Sequence, residues 1–260
     1  MADLAHSTAT LRLAVGELRI VHPISVPTAP VPAAEIVSAL QGLVNAVVEA
    51  AEAGSVKDGR AISCRKGCGA CCRQLVPVSR TEGERLLQFV EALPAERREA
   101  LLARFAAAQT VIEGAGLHQR GARTDRELSA AYFALRLPCP FLEDESCSIH
   151  PERPLVCREY LVTSPAELCS GPAQEGVTTV AVPKISLAAR SLQDEKDDWF
   201  PLALLMAWRR TRPRKAEKQP GPQWVQRFLK QLSGKSPSVA TSTPPEQPVP
   251  SAGPSRRHPG

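Results

Sequence analysis

The stretch CRKGCGACCRQ, residues 64–74, limits the fold more than any other part of this chain. It places Cys64, Cys68, Cys71 and Cys72 within nine positions, in the pattern C-x3-C-x2-C-C. Cys64, Cys68 and Cys72 would share a face if the segment were helical, being four apart. Gly67 and Gly69 disfavour a regular helix and permit a folded loop, which can also turn backbone N–H groups toward sulfur. The side chains of adjacent Cys71 and Cys72 are expected to diverge, so at least one of them should reach a second metal or a distant set of partners.

A sparser set follows: Cys139, Cys147, Cys157 and Cys169. Soft thiolates suit zinc, iron and iron–sulfur clusters, and four of them can close a tetrahedral site. The two sets together predict one site, with the intervening helices bringing them side by side. Four thiolates around one divalent ion leave a net charge of roughly −2. Arg65, Lys66, Arg73 and Arg158 lie beside the cysteines, where cations favour the thiolate form. The alternative is that these are ordinary surface residues, and Lys66 reads better that way. Cys169, standing alone, is as much a small buried hydrophobe as a ligand, and any close pair offers redox disulfide chemistry as an alternative to metal.

The start, MADLAHSTATLRLAVG, has no basic region followed by a long apolar run, so it does not read as a secretory signal. No stretch reads as the ~20 apolar residues that cross a bilayer. The expected compartment is cytoplasmic, where thiols stay reduced, and eight cysteines there point to metal rather than disulfides. The net charge of +5 hides a split. From Ala207 onward eleven Lys/Arg face two Asp/Glu, while residues 1–206 hold 21 basic against 25 acidic groups.

The chain is 43% hydrophobic but only 4% aromatic, which suits a helical core of Leu, Val and Ala. LRLAVGELRI, residues 11–20, alternates as a strand does, and a proline-rich connector, HPISVPTAPVP, follows it. Residues 33–54 carry Ile36, Leu40, Leu43, Val44, Val47 and Val48 at helical spacing. Thr81 with Glu84 and Thr124 with Glu127 have capping-box spacing. They open two of the two or three helices that join the cysteine sets, expected as an antiparallel bundle. VTTVAV reads as a strand and DWFPLALLMAWRR as a last core helix. The fold class expected is mainly α: a small helical bundle with a cysteine-rich metal-binding loop region, minor β, and a disordered C-terminal tail. Its parts are residues 1–32, a strand and connector; 33–210, the cysteine-cluster domain; and 211–260, a basic Pro/Ser-rich tail. One island in the tail, QWVQRFLKQL, has Trp224, Val225, Phe228, Leu229 and Leu232 at helical spacing.

CRKGCGACC and, after the helical spacer, the motifs C-P-F-L, C-x-I and R-P-x-x-C-R-x-Y within CPFLEDESCSIHPERPLVCREY resemble the YkgJ-type cysteine-cluster family, described as zinc- or iron-chelating. The same cysteine signature occurs in flagellin lysine methylases. The resemblance spans about residues 60–170. It implies Cys64, Cys68, Cys71, Cys72, Cys139, Cys147 and Cys157 as ligands, and Arg153, Pro154, Arg158 and Tyr160 as motif positions. His150 stands where the family usually has an aromatic residue and is not taken as a ligand. Pro154 suits the first turn of a helix carrying Cys157. Phe141, Leu142, Ile149 and Leu155 are expected to wall the site from water, and Arg158 either to donate to a thiolate or to pair with the neighbours of Glu159.

The leading functional expectation is a metal-binding protein holding zinc or iron through both cysteine sets. The alternatives are an iron or iron–sulfur enzyme modifying a protein substrate, as the methylase signature implies, or a metal-stabilised interaction module with a protein partner. No glycine-rich cofactor loop and no nucleophile–His–acid set accompanies the cysteines. The basic tail would suit nucleic acid or an acidic surface, but reads better as a solubilising extension with one helix docked on the body.

Overall fold

The computed structural model describes residues 4–119, 121–171, 176–193, 198–211, 216–235 and 240–241. It opens on a hairpin. β1 (His6–Val15) pairs antiparallel with β2 (Leu18–Pro27), from Val15 opposite Leu18 to His6 opposite Pro27. The strand expected over residues 11–20 therefore crosses a turn, and most of the expected connector is strand. The reason lies in Gly16, whose φ of +60° supplies the first position of a two-residue hairpin turn. Beyond the turn, Ile20, Ile24 and Val26 alternate inward. Pro23 and Pro27 are tolerated because β2 is an edge strand.

A short strand, β3 (Pro30–Pro32), leads into α1 (Val37–Lys57). By length and apolarity residues 33–57 would be able to cross a bilayer, which corrects the expectation that no segment reaches that length. Leu40, Leu43, Val44 and Val47 are nevertheless fully buried. They pack with the inner face of the hairpin and with Trp224 and Phe228, as the centre of a protein core.

After the cysteine loop come β4 (Pro77–Ser79), α2 (Arg80–Glu91), α3 (Ala95–Gly114) and α4 (Asp125–Ala134). The box at Thr124 and Glu127 forms as expected. The other forms two residues early, from Ser79 and Glu82. Thr81 is instead buried and accepts a hydrogen bond from Gln193. β5 (Leu142–Glu143) and β6 (Ser146–Cys147) make a tight hairpin, and α5 (Leu155–Arg158) is a single turn. The segment VTTVAV makes only an isolated bridge between Thr179 and Val162, not a strand. α6 (Ser186–Ala189) follows. The expected last core helix begins instead as β7 (Trp199–Pro201), paired with β4, and becomes α7 only over Leu205–Thr211.

β8 (Lys218–Pro220) pairs with β3, and α8 (Gly221–Lys235) packs its Trp224, Val225, Phe228 and Leu232 into the main core. The island in the tail is thus a core helix, and the ordered body runs past residue 211. β9 (Ala240–Thr241) adds to the free edge of β1. The remaining residues of the expected disordered tail lie outside the described residues. Two main cores result. One joins the hairpin, α1, α6 and α8; the other gathers Leu86, Leu87, Leu101, Phe105, Phe141 and Leu205 around α2, α3 and α7. A third, smaller group around Ile112, Leu128 and Tyr132 closes α4.

Trp224 is fully buried, and its indole N–H donates to the Val31 carbonyl at 2.8 Å. Trp224→Ala should cost about 3–5 kcal/mol, read as a lower urea midpoint. An unchanged midpoint would show that α8 adds nothing to the core.

Candidate metal centre

Residues 64–74 fold as successive tight turns rather than a helix. Cys68 N–H donates to the Arg65 carbonyl, Cys72 N–H to Gly69 and Gln74 N–H to Cys71, at 3.1, 2.9 and 3.1 Å. Gly67 takes a φ of +89°. Gly69 lies so close to the second cysteine stretch that a Cβ there would stand 2.4 Å from the Glu145 carbonyl oxygen and 2.6 Å from Leu142. No side chain fits that gap.

The second stretch meets the loop backbone to backbone: Cys139 N–H donates to the Cys72 carbonyl at 2.7 Å. The β5–β6 turn places Asp144 and Glu145 at φ +48° and +56°, the left-handed pair of a two-residue hairpin turn. Glu145 then takes both guanidinium nitrogens of Arg73, at 2.9 and 2.5 Å. Arg104 ties β5 by donating to Glu143 at 2.5 Å. Cys157 sits on α5, with Pro154 at its N-terminal cap. The free N–H of Leu155 in that turn donates to Glu82 at 2.8 Å. Glu82 also accepts from the Ser79 N–H and hydroxyl, so one buried carboxylate caps α2 and α5 together.

This framework brings Cys64, Cys68, Cys71, Cys72, Cys139, Cys147 and Cys157 to the wall of one cavity of about 240 Å³. The cavity lies at the seam of the two main cores. Cys64 packs on the first of these cores, Cys139 and Cys147 on the second. Phe141, Ile149, Val76, Leu161 and Leu202 supply the apolar wall, and Glu52, Arg65, Lys66, His150 and Arg153 also face it. Of the four expected wall residues, Phe141 and Ile149 hold. Leu155 turns into the main core and Leu142 packs against Gly69.

All eight cysteines are free thiols. Burial pushes Cys139 up to about 12 and raises Cys157, Cys147 and Cys64 as well. Cys64 is drawn partly back by the Val162 N–H, which points at its sulfur at 3.4 Å. Cys71 is raised first by a hydrogen bond shared with Cys72 and then by burial. Both side chains line the same cavity, where they were expected to diverge. Cys71, Cys139, Cys147 and Cys157 form a set in which each sulfur is within electrostatic reach of the other three. Cys64 is within electrostatic reach of Cys71 and Cys68.

Cys169 is not on the wall. It is 2% exposed, behind Tyr160, whose hydroxyl donates to its sulfur at 3.9 Å. Arg158 does not donate to a thiolate either. Its N–H groups go to Asn45 at 2.9 Å, the Arg153 carbonyl at 3.0 Å and the Pro151 carbonyl. Burial, and then the charge of Arg153, lower its pKa to about 10. Sequence reasoning missed Glu82, whose capping-box spacing from Ser79 was legible but whose second partner was not.

Among the described residues, no three Cys, His, Asp or Glu side chains are drawn together tightly enough to hold one ion as they stand. Sulfurs around a tetrahedral zinc lie ~3.8 Å apart, so loading requires the thiols to lose protons and rotate inward. The donor set fits zinc or iron: seven soft sulfurs face one largely apolar cavity.

Glu82→Ala should leave the Leu155 and Ser79 N–H groups buried without an acceptor, at a cost of about 2–4 kcal/mol. Urea denaturation measures this, and a loss under about 0.5 kcal/mol would show that the carboxylate does not tie the two helices.

Residues 63–181 match the family model CxxCxxCC, described as a "putative zinc- or iron-chelating domain". No match was found among curated proteins or among solved structures. The matched segment begins one residue before Cys64 and takes in all eight cysteines. Over residues 63–181, a little under half of the chain, the protein is thus similar to this cysteine-cluster family.

Proposed function

We propose that the chain binds zinc or iron in a single centre built from both cysteine sets, in a reducing, cytoplasmic setting. Cys71, Cys139, Cys147 and Cys157 form its inner set; Cys64, Cys68 and Cys72 complete the rim. The observation that carries this reading is the convergence of seven thiols on one cavity. Cys169 serves by packing beneath Tyr160 rather than as a ligand.

A second reading, a reactive iron or iron–sulfur centre acting on a protein substrate, is favoured by the number of donors. Four thiolates satisfy a closed structural zinc site. Three more on the same wall suit a centre of several metal atoms, and the facing side chains of Arg65, Lys66 and His150 mark an open end. Zinc predicts a colourless protein, and iron–sulfur a brown one with visible absorption.

Protein purified without oxygen is expected to carry zinc or iron by elemental analysis. Cys71→Ser and Cys139→Ser should each strip most of it, while Cys169→Ser retains it. Because burial raises the pKa of Cys64, Cys139, Cys147 and Cys157, uptake should release protons and strengthen as pH rises. A parent chain that neither retains nor takes up either metal would remove the proposal.

A further inference from the structure

The cations around the cysteine cavity are not equivalent. Arg73 is paired with Glu145, Arg104 with Glu143, and Arg85 with Glu152. Arg65 and Lys66 are exposed. Arg153 is different. It lines the cavity and is partly buried, its Nε is buried without a hydrogen-bond partner, and its terminal nitrogen meets the Nε2 of His150. A guanidinium has only donors, so the ring nitrogen facing it must be the unprotonated one, and His150 serves as a neutral acceptor. Arg158, next to it, donates only to neutral oxygens, those of Asn45, Arg153 and Pro151. Among the described residues neither guanidinium has an ion pair.

A half-buried cation with only neutral hydrogen-bond partners is costly unless a negative charge faces it. Arg158 has the Glu152 and Glu82 carboxylates within electrostatic reach, whereas the cavity that Arg153 lines holds seven thiols and one carboxylate, Glu52. Zinc or ferrous iron on four thiolates carries roughly −2, and additional thiolates make it more negative. Arg158 is tied by three bonds into the 150–154 loop and α1, whereas Arg153 is the one whose side chain faces the thiols.

We propose that Arg153, oriented by His150, is the counter-cation of the metal–thiolate centre. The proposal rests on the metal reading above but not on which metal is bound, since either choice leaves the centre anionic. Arg153 is a positioning residue here: it holds charge beside the sulfurs and is not itself a ligand. Charge compensation of this kind lets more thiolates stay deprotonated around the metal than the apolar wall would otherwise allow.

The test uses the full chain, loaded with zinc under anaerobic conditions, in competition with a chromophoric chelator. Arg153→Gln is expected to weaken zinc binding about 10–100-fold, with Arg153→Lys restoring most of the loss because it keeps the charge. Arg153→Met serves as a second charge-removing variant should the glutamine variant fail to fold. The metal-free variants should melt no lower than the metal-free parent, because removing Arg153 relieves its repulsion with Arg158. A purely structural role would instead lower both quantities. Unchanged zinc affinity in the charge-removing variants, or equal losses with lysine and glutamine, would overturn the proposal. A parent chain that binds no metal would overturn the metal reading as well, so the two failures are distinguishable.

Discussion

Everything at the cysteine cavity depends on one backbone contact. The Cys139 N–H reaches the Cys72 carbonyl at 2.7 Å, joining two stretches 67 positions apart in the chain. The contact is possible because Gly69 lets the loop lie directly on the β5–β6 turn. The bidentate Arg73–Glu145 pair closes the same junction from outside. That pair is largely solvent-exposed on the Glu145 side, at 66%, so its contribution is small and mainly geometric. The glycine approach and the backbone bond set the distance between the cysteine sets, and the ion pair sets their orientation.

The cavity lies at a seam because the chain returns to the first core after visiting the second. The hairpin and α1 begin that core, α2, α3 and α7 build the other, and α8 comes back to complete the first. The family segment supplies Leu155, Leu161 and Val180 to the first core, so the flanking regions finish its packing rather than hang beside it. Glu82 stitches the seam where the two cores meet, with hydrogen bonds to the start of α2 and to the start of α5. Burying a carboxylate so completely raises its pKa, and three donated hydrogen bonds and the nearby Arg158 charge work against that shift. A residue with that many partners transmits the position of α2 to the turn that carries Cys157.

The sequence disclosed the parts governed by local chemistry. Helical periodicity located α1 and α3, and Thr124 and Glu127 their capping box, because each depends on residues within one or two turns. The clustering of Cys64 to Cys72 disclosed the cysteine-cluster family for the same reason. What stayed hidden was set by distant partners. The hairpin hid behind prolines that usually mark connectors, and only Gly16 signalled the turn. The shift of the first capping box to Ser79 and Glu82 reflects the pull of Leu155, more than 70 positions away. The tail island became a core helix because Val31 accepts from Trp224, a partnership no local window contains.

The electrostatics of the cavity follow from its burial. An apolar wall makes each bare thiolate expensive, which is why burial heads the causes raising Cys139, Cys147 and Cys157. Adding a second thiolate beside the first makes matters worse, since Cys71 raises Cys139, Cys147 and Cys157 further. The set therefore favours its protons over bare charge. On the proposed metal reading a divalent ion would supply the balancing charge directly, and Arg153, which lines the cavity, would supply part of what one ion leaves unbalanced. Uptake of metal, loss of protons and engagement of the Arg153 side are thus one event electrostatically. An apolar cavity that would reject isolated thiolates becomes the reason that a metal-bound set, once formed, is held tightly.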